Sequence, residues 1–223
     1  LFLGPDEYVV PPTALRTVPV VELLPYAREA RPTFRGSDEV LVVLQYWLQE
    51  VKVVADAYDP ALFSSDPGYA RHIGQLNVLT YLIEHGDANL GNFLASRAER
   101  SPRVFSVDNG VAFAHNESDR SDVWKYLRVP SLPADTVSRL RALSQDQLQE
   151  RLGVLAQWRL DGGRWIAEPP GANLAPQRGV RQVDGVVQLG LTKSEIAQVD
   201  RRRVQLLRQV DERRVGLIEE QQP

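Results

Sequence analysis

The sequence predicts an α+β fold: a partial, small β-rich part over residues 1–47 and a mainly helical, larger part over residues 48–223. Three observations predict it. Proline-broken extended pieces and one apolar, β-branched run fill the first 47 residues. A helical apolar period covers Tyr69 to Glu84, and further helical spacing follows Pro133.

In chain order, Tyr8-Val9-Val10 runs into Pro11-Pro12, and Thr17-Val18-Pro19-Val20-Val21 follows. Prolines this close exclude a helix, because the ring fixes φ and removes an amide donor. Residues 29–38 (EARPTFRGSD) are polar and turn-like. Val40-Leu41-Val42-Val43-Leu44 reads as a buried strand. It leads into Gln45-Tyr46-Trp47-Leu48 and an apolar-periodic stretch to Ala55. Residues 56–68 hold two Asp-Pro steps and read as a loop.

Ile73, Leu76, Val78, Leu79, Leu82 and Ile83 then recur at near-helical spacing, which predicts a buried helix ending at His85-Gly86. Phe93–Ala95 and Val104–Val107 predict two short strands around a charged turn. Helices are expected over Ala134–Leu143 and Gln145–Trp158, a hairpin or irregular loop over 161–188, and a charged helix over about 194–219. Thr192 and Glu195 have the spacing of a capping box.

Composition narrows the function. The 223 residues carry 26 basic and 29 acidic side chains, so no strong field calls for nucleic acid or an acidic membrane. There is no cysteine, which excludes thiolate catalysis and cysteine-based zinc sites. Three scattered histidines do not make a zinc site. No apolar run is long enough to span a bilayer, and nothing resembles a signal peptide. The expected compartment is the cytoplasm, although a leader already removed would leave no trace. The chain lacks methionine even at position 1, so it is expected to be processed or part of a longer protein.

The chemistry-bearing stretch is His85-Gly86-Asp87-Ala88-Asn89-Leu90-Gly91-Asn92, followed after a strand pair by Asp108-Asn109-Gly110. Phosphoryl transfer explains why such parts belong together. Metal ions must neutralise the charge on the transferred group, and a carboxylate must orient or accept the proton of the attacking hydroxyl. Asp87 fits the proton-handling role, and Asp108 the metal-holding role. Asn92 lies five residues after the first carboxylate, so its amide oxygen can reach the same metal.

These motifs, HGDANLGN and VDNG, resemble the catalytic loop and metal motif of the protein-kinase-like superfamily. The HGD opening is similar to aminoglycoside and choline phosphotransferases. Leu90-Gly91-Asn92, Val107 through Phe113 and the opening Val10-Pro11-Pro12-Thr13 are more similar to the phosphatidylinositol 3/4-kinase-like and secretory-pathway kinase group. Ala88 stands where that group usually has arginine. The resemblance implies a protein-kinase-like fold with a small β-lobe and a helical large lobe. It implies ATP with Mg²⁺ or Mn²⁺ as cofactors and a hydroxyl-bearing acceptor (lipid, protein or small molecule). It makes His85 the loop-bracing histidine, Asp87 the catalytic base, and Asn92 and Asp108 the metal ligands. Gln45, Tyr46 and Trp47 become the hinge that meets adenine.

A phosphate-covering Gly-rich loop, a strand lysine and its helix glutamate are not recognisable; they are expected upstream of Leu1. Two alternatives keep the fold: a pseudokinase acting as a binding or scaffolding module, and a nucleotidyl transferase. Plainer readings stand beside several signals. Asn109-Gly110 suits a hairpin turn, which explains the glycine but not the matching Asp87 loop. His72 reads as a helix-surface or satisfied core histidine, His115 as a surface residue, and Trp124, Trp158 and Trp165 as core anchors of the helical part. Arg201-Arg202-Arg203 and Arg213-Arg214 read as a solvated helix face.

Overall fold

A computed structural model describes residues 1–54, 56–87, 91–113 and 123–219. His115, Ala88, Asn89 and Leu90 lie outside the described residues. The chain is α+β, with short sheets and six α-helices among the described residues. In order these are β1 (Thr13–Pro19), α1 (Val20–Leu23), β2 (Glu39–Gln45), β3 (Val51–Val53), α2 (Pro60–Ser65), α3 (Pro67–Leu82), β4 (Phe93–Ser96) and β5 (Val104–Ser106). A 3₁₀ turn at Val123–Lys125 is followed by β6 (Ser131–Pro133), α4 (Ala134–Ala142), α5 (Gln145–Gly153), β7 (Ala156–Asp161), β8 (Arg164–Glu168), β9 (Val180–Val183), β10 (Val186–Leu189), α6 (Lys193–Asp211) and β11 (Gly216–Ile218).

The chain forms two compact units. The first comprises Leu1–Pro12, Trp47–Leu143 and Gln198–Pro223; the second comprises Thr13–Tyr46 and Ser144–Ala197. Residues 1–12 cluster with the first unit, and residues 144–197 cluster with residues 13–46.

The first unit is organised around α3. Pro67 opens it, and the Asp66 carboxylate accepts from the Tyr69 amide at 2.9 Å, which fills one of the donors a helix start leaves unpaired. Almost every side chain from Tyr69 to Leu82 is buried, Ile73, Leu76 and Val78 completely. Polar residues inside it are satisfied. Asn77 donates to the Tyr126 carbonyl at 2.8 Å and accepts from the Arg128 amide at 2.7 Å. His72 is a satisfied core histidine, with Nε2 donating to the Val104 carbonyl at 2.7 Å. Strands β3, β4 and β5 form an antiparallel sheet in that order, and β11 pairs with β6 in parallel. Trp124 is buried in this unit against Phe93.

The second unit is a β structure. Strands β1 and β2 pair antiparallel from Thr13↔Gln45 to Pro19↔Glu39. Strands β8-β7-β10-β9 make a four-stranded antiparallel sheet. Phe34, Trp158, Trp165 and Val187 form the core, with Leu15, Leu41 and Leu160 packed on it. The Glu39 carboxylate, buried beside that core, accepts from the Trp165 amide at 2.6 Å.

Several sequence expectations are corrected here. The helix expected over Gln145–Trp158 stops at Gly153, and Trp158 lies on β7. Of the hairpin or irregular loop expected over 161–188, the hairpin is present and extends to most of a sheet, turned at Gly162-Gly163 and at Asp184-Gly185, whose positive φ values match the tight hairpin turns that suit strand twist. Trp158 and Trp165 therefore anchor a β core rather than helices. The strand at Val40–Leu44 exists but is half open: Val43 and Leu44 are exposed. Val20–Leu23 makes one helical turn after Pro19, and the stretch after Leu48 forms β3. The charged helix ends at Asp211, and Gly216–Ile218 is extended. The capping box at Thr192 and Glu195 is present, with both bonds made.

Candidate functional site

The site grows out of the C-terminal end of α3. Beyond Leu82 the chain turns through Glu84, at φ +53°, and the His85 amide returns to the Thr80 carbonyl at 2.9 Å. A non-glycine residue in the left-handed region costs on the order of 1 kcal/mol, so this turn is held by its surroundings. The next segment is stitched to the stretch after β5. Gly86 donates to the Val111 carbonyl at 2.9 Å, and Phe113 donates to the Ile83 carbonyl at 2.6 Å. The two motif loops are thereby set in register by backbone bonds.

Within that frame the Asp87 loop is closed by its own bonds. Asn92 Nδ2 donates to the Asp87 carbonyl at 2.7 Å, and the Val107 amide donates to the Asn92 carbonyl at 2.9 Å. Asp87 is buried at the loop. Asp108 has φ +52°, which turns the chain sharply after β5. Asn109 is tied back, its Oδ1 accepting from Ser106 Oγ at 2.7 Å. His85 is fully buried, its ring edge-on to Phe93 and its Nδ1 3.4 Å from the Val111 carbonyl.

Burial pushes the His85 imidazole below its ordinary range, against the opposing pull of the Val111 carbonyl and of the negative charges on Asp87 and Asp108. His85 is enclosed, and its ring faces the Val111 backbone of the segment that follows Asp108.

Asn92 uses its amide nitrogen on Asp87, and an amide oxygen is the atom of such a side chain that could take a metal. Among the described residues no group of three or more His, Asp or Glu side chains forms a metal cluster. Asp108 and Asn92 are the residues here whose oxygens could hold a divalent ion such as magnesium.

His85, Asp87, Asn92 and Asp108 all lie in the first unit. Gln45 ends β2 in the second unit, where Nε2 lies 3.4 Å from Thr13 Oγ1; Tyr46 follows it there. Trp47, 86% exposed, opens the return to the first unit. Lys52 lines a separate recess of about 210 Å³ on β3 and β4, with Asp59, Tyr69, Ser96 and Arg97.

Sequence reasoning missed Arg202. Its Nε and one Nη donate to the carbonyls of Tyr81 and Lys125, and its other Nη lies 3.8 Å from the Glu84 carboxylate. No local pattern announces it, since its partners are far away in the chain. Compared with family models, curated proteins and solved structures, the chain shows no match.

Proposed function

We propose that this protein is a protein-kinase-like phosphotransferase that moves the γ-phosphoryl group of ATP to a hydroxyl of a lipid, protein or small molecule. The observation that supports it most is the Asn92–Asp87 bond, which ties a metal-binding amide to the backbone of the proposed base. Asp87 orients the acceptor hydroxyl and takes its proton. Asp108 and the Asn92 oxygen hold the divalent ion, which when bound neutralises the phosphate charge. His85 keeps the loop's shape from behind.

The test is incubation with γ-labelled ATP and Mg²⁺ or Mn²⁺, reading ADP release and label transfer to lipid, protein and sugar pools. Metal-dependent release that Asp108→Ala abolishes supports the reading. An Asp87→Asn variant as active as wild type overturns the assignment.

One observation favours a second reading. The chain's three lysines lie on β3, in the 3₁₀ turn and at the start of α6, so none on β1 or β2 can pair with ATP phosphates. A pseudokinase module that binds nucleotide without turnover fits that absence. Nucleotide binding with no ADP release would decide for it, and transfer of the nucleotide rather than phosphate would decide for a nucleotidyl transferase.

A further inference from the structure

We propose that Arg202 is a positioning residue for the Asp87 loop, a role that rests on the phosphotransferase reading. The last carbonyls of a helix lack intrahelical partners and carry partial negative charge. At the end of α3 the Arg202 guanidinium supplies that partner to Tyr81 and extends to the Lys125 carbonyl. The guanidinium also stacks on the Tyr81 ring at 4.2 Å, and its side chain is only 16% exposed. A planar fork of five donors suits two carbonyls and one carboxylate in a way an ammonium does not.

What the clamp holds is the turn into the site. Tyr81 also accepts from the Glu84 amide at 3.2 Å, and Glu84, the strained residue, is the one facing Arg202. His85 and Gly86 follow, and the bonds from Gly86 to Val111 and from Phe113 to Ile83 pass that position on to the Asp108 segment. Three consecutive arginines divide the work. Arg203 pairs with Asp200 and donates to the Leu140 carbonyl, Arg201 is exposed, and among the described residues Arg202 is the one of the three that meets the loop. Release of the clamp lets the Glu84 turn relax, and the two acidic motifs lose their register without losing any ligand.

The experiment uses the full chain with Arg202→Met, Arg202→Lys and the exposed control Arg201→Met. It reads amide exchange at Gly86 and Phe113, and kcat and KM for ADP release from Mg·ATP. The expected result for Arg202→Met is exchange faster by about tenfold at those two amides, as for loss of one charge-assisted bond. Its kcat should fall about tenfold, while KM stays within about twofold, since the ligands of Mg·ATP are intact. Arg202→Lys should fall between, and Arg201→Met should match wild type. Wild-type exchange at Gly86 and Phe113 in Arg202→Met overturns the clamp, and an unchanged kcat overturns its role in turnover. If Arg202→Met does not fold, Arg202→Lys with wild-type exchange and kcat overturns the proposal equally. A wild-type protein that releases no ADP sinks the phosphotransferase reading instead, while exchange still reports on the clamp.

Discussion

Asn92 donates its side-chain amide to the main-chain carbonyl of Asp87 at 2.7 Å, which closes the loop; on the phosphotransferase reading its oxygen would also serve a metal. Substitution separates these two tasks. Asn92→Asp keeps an oxygen ligand but loses the donor, and sets a carboxylate against a carbonyl. We expect Mn²⁺-dependent nucleotide binding to survive in it while ADP release falls at least about tenfold, the worth of one good hydrogen bond. Asn92→Ala should lose both. Nucleotide titration with and without Mn²⁺, beside steady-state turnover, measures the split; equal losses in the two variants would contradict it.

Gly74 offers a test in which two effects oppose. Alanine improves helix propensity by about 1 kcal/mol. A β-carbon at this position of α3 would stand 2.8 Å from Cδ of Pro133, part of a rigid ring on β6. Overpacking of that kind costs about 1–3 kcal/mol. Gly74→Ala should therefore lower the urea midpoint, and a raised midpoint would show that α3 and β6 can yield.

His72 sets a pH dependence. Burial pushes its pKa down to about 4, with the nearby Arg103 charge adding to burial and the Val104 carbonyl opposing it. The unfolded chain binds this proton near pH 6.5, so its contribution is complete above that pH and is lost as pH falls from about 6.5 towards 4. The loss is of the order of 3 kcal/mol at most, from about 1.4 kcal/mol per pH unit. Thermal midpoints of wild type and His72→Gln across this window should converge towards pH 4. Parallel curves would mean that the ring is not enclosed.

Glu7 works at lower pH. Burial would raise its pKa, yet the Gly4 amide and the guanidinium groups of Arg71 and Arg139 hold it down to about 2. Its stabilisation is complete above about pH 4.5 and disappears as pH falls through about 2. Glu7→Gln should be less stable than wild type by about 1–2 kcal/mol at pH 7, leaving Asp135 as the one carboxylate that Arg71 and Arg139 share. The difference should close near pH 2 in acid-unfolding curves.

Helix α3, the strands on either side of the charged turn and α4 were legible in the sequence because their apolar spacing matches their surroundings. The four-stranded sheet was not. Gln157 and Gln188 occupy buried positions on β7 and β10 and bond to each other at 2.6 Å, so polar residues interrupt the alternation that identifies a strand. Asp161-Gly162-Gly163 and Val183-Asp184-Gly185 carry turn chemistry, which fits the hairpin that was one of the two expectations for 161–188. Of the candidate site, the segments that carry Asp87, Asn92 and Asp108 could be read because they are short and close in the chain. Arg202 could not, because its contacts span 121 and 77 residues and its helix is otherwise an ordinary charged surface.

The second unit draws its strands from two stretches of chain, Thr13–Tyr46 and Ser144–Ala197. During synthesis Leu15, Phe34 and Leu41 leave the ribosome long before Trp158, Trp165 and Val187 exist to cover them. At translation speeds of about 5–20 residues per second, that gap lasts several seconds or more. A nascent chain with an early apolar hairpin and no mate is a natural client for chaperones. Synthesis that stops after Leu143 would leave those side chains permanently bare.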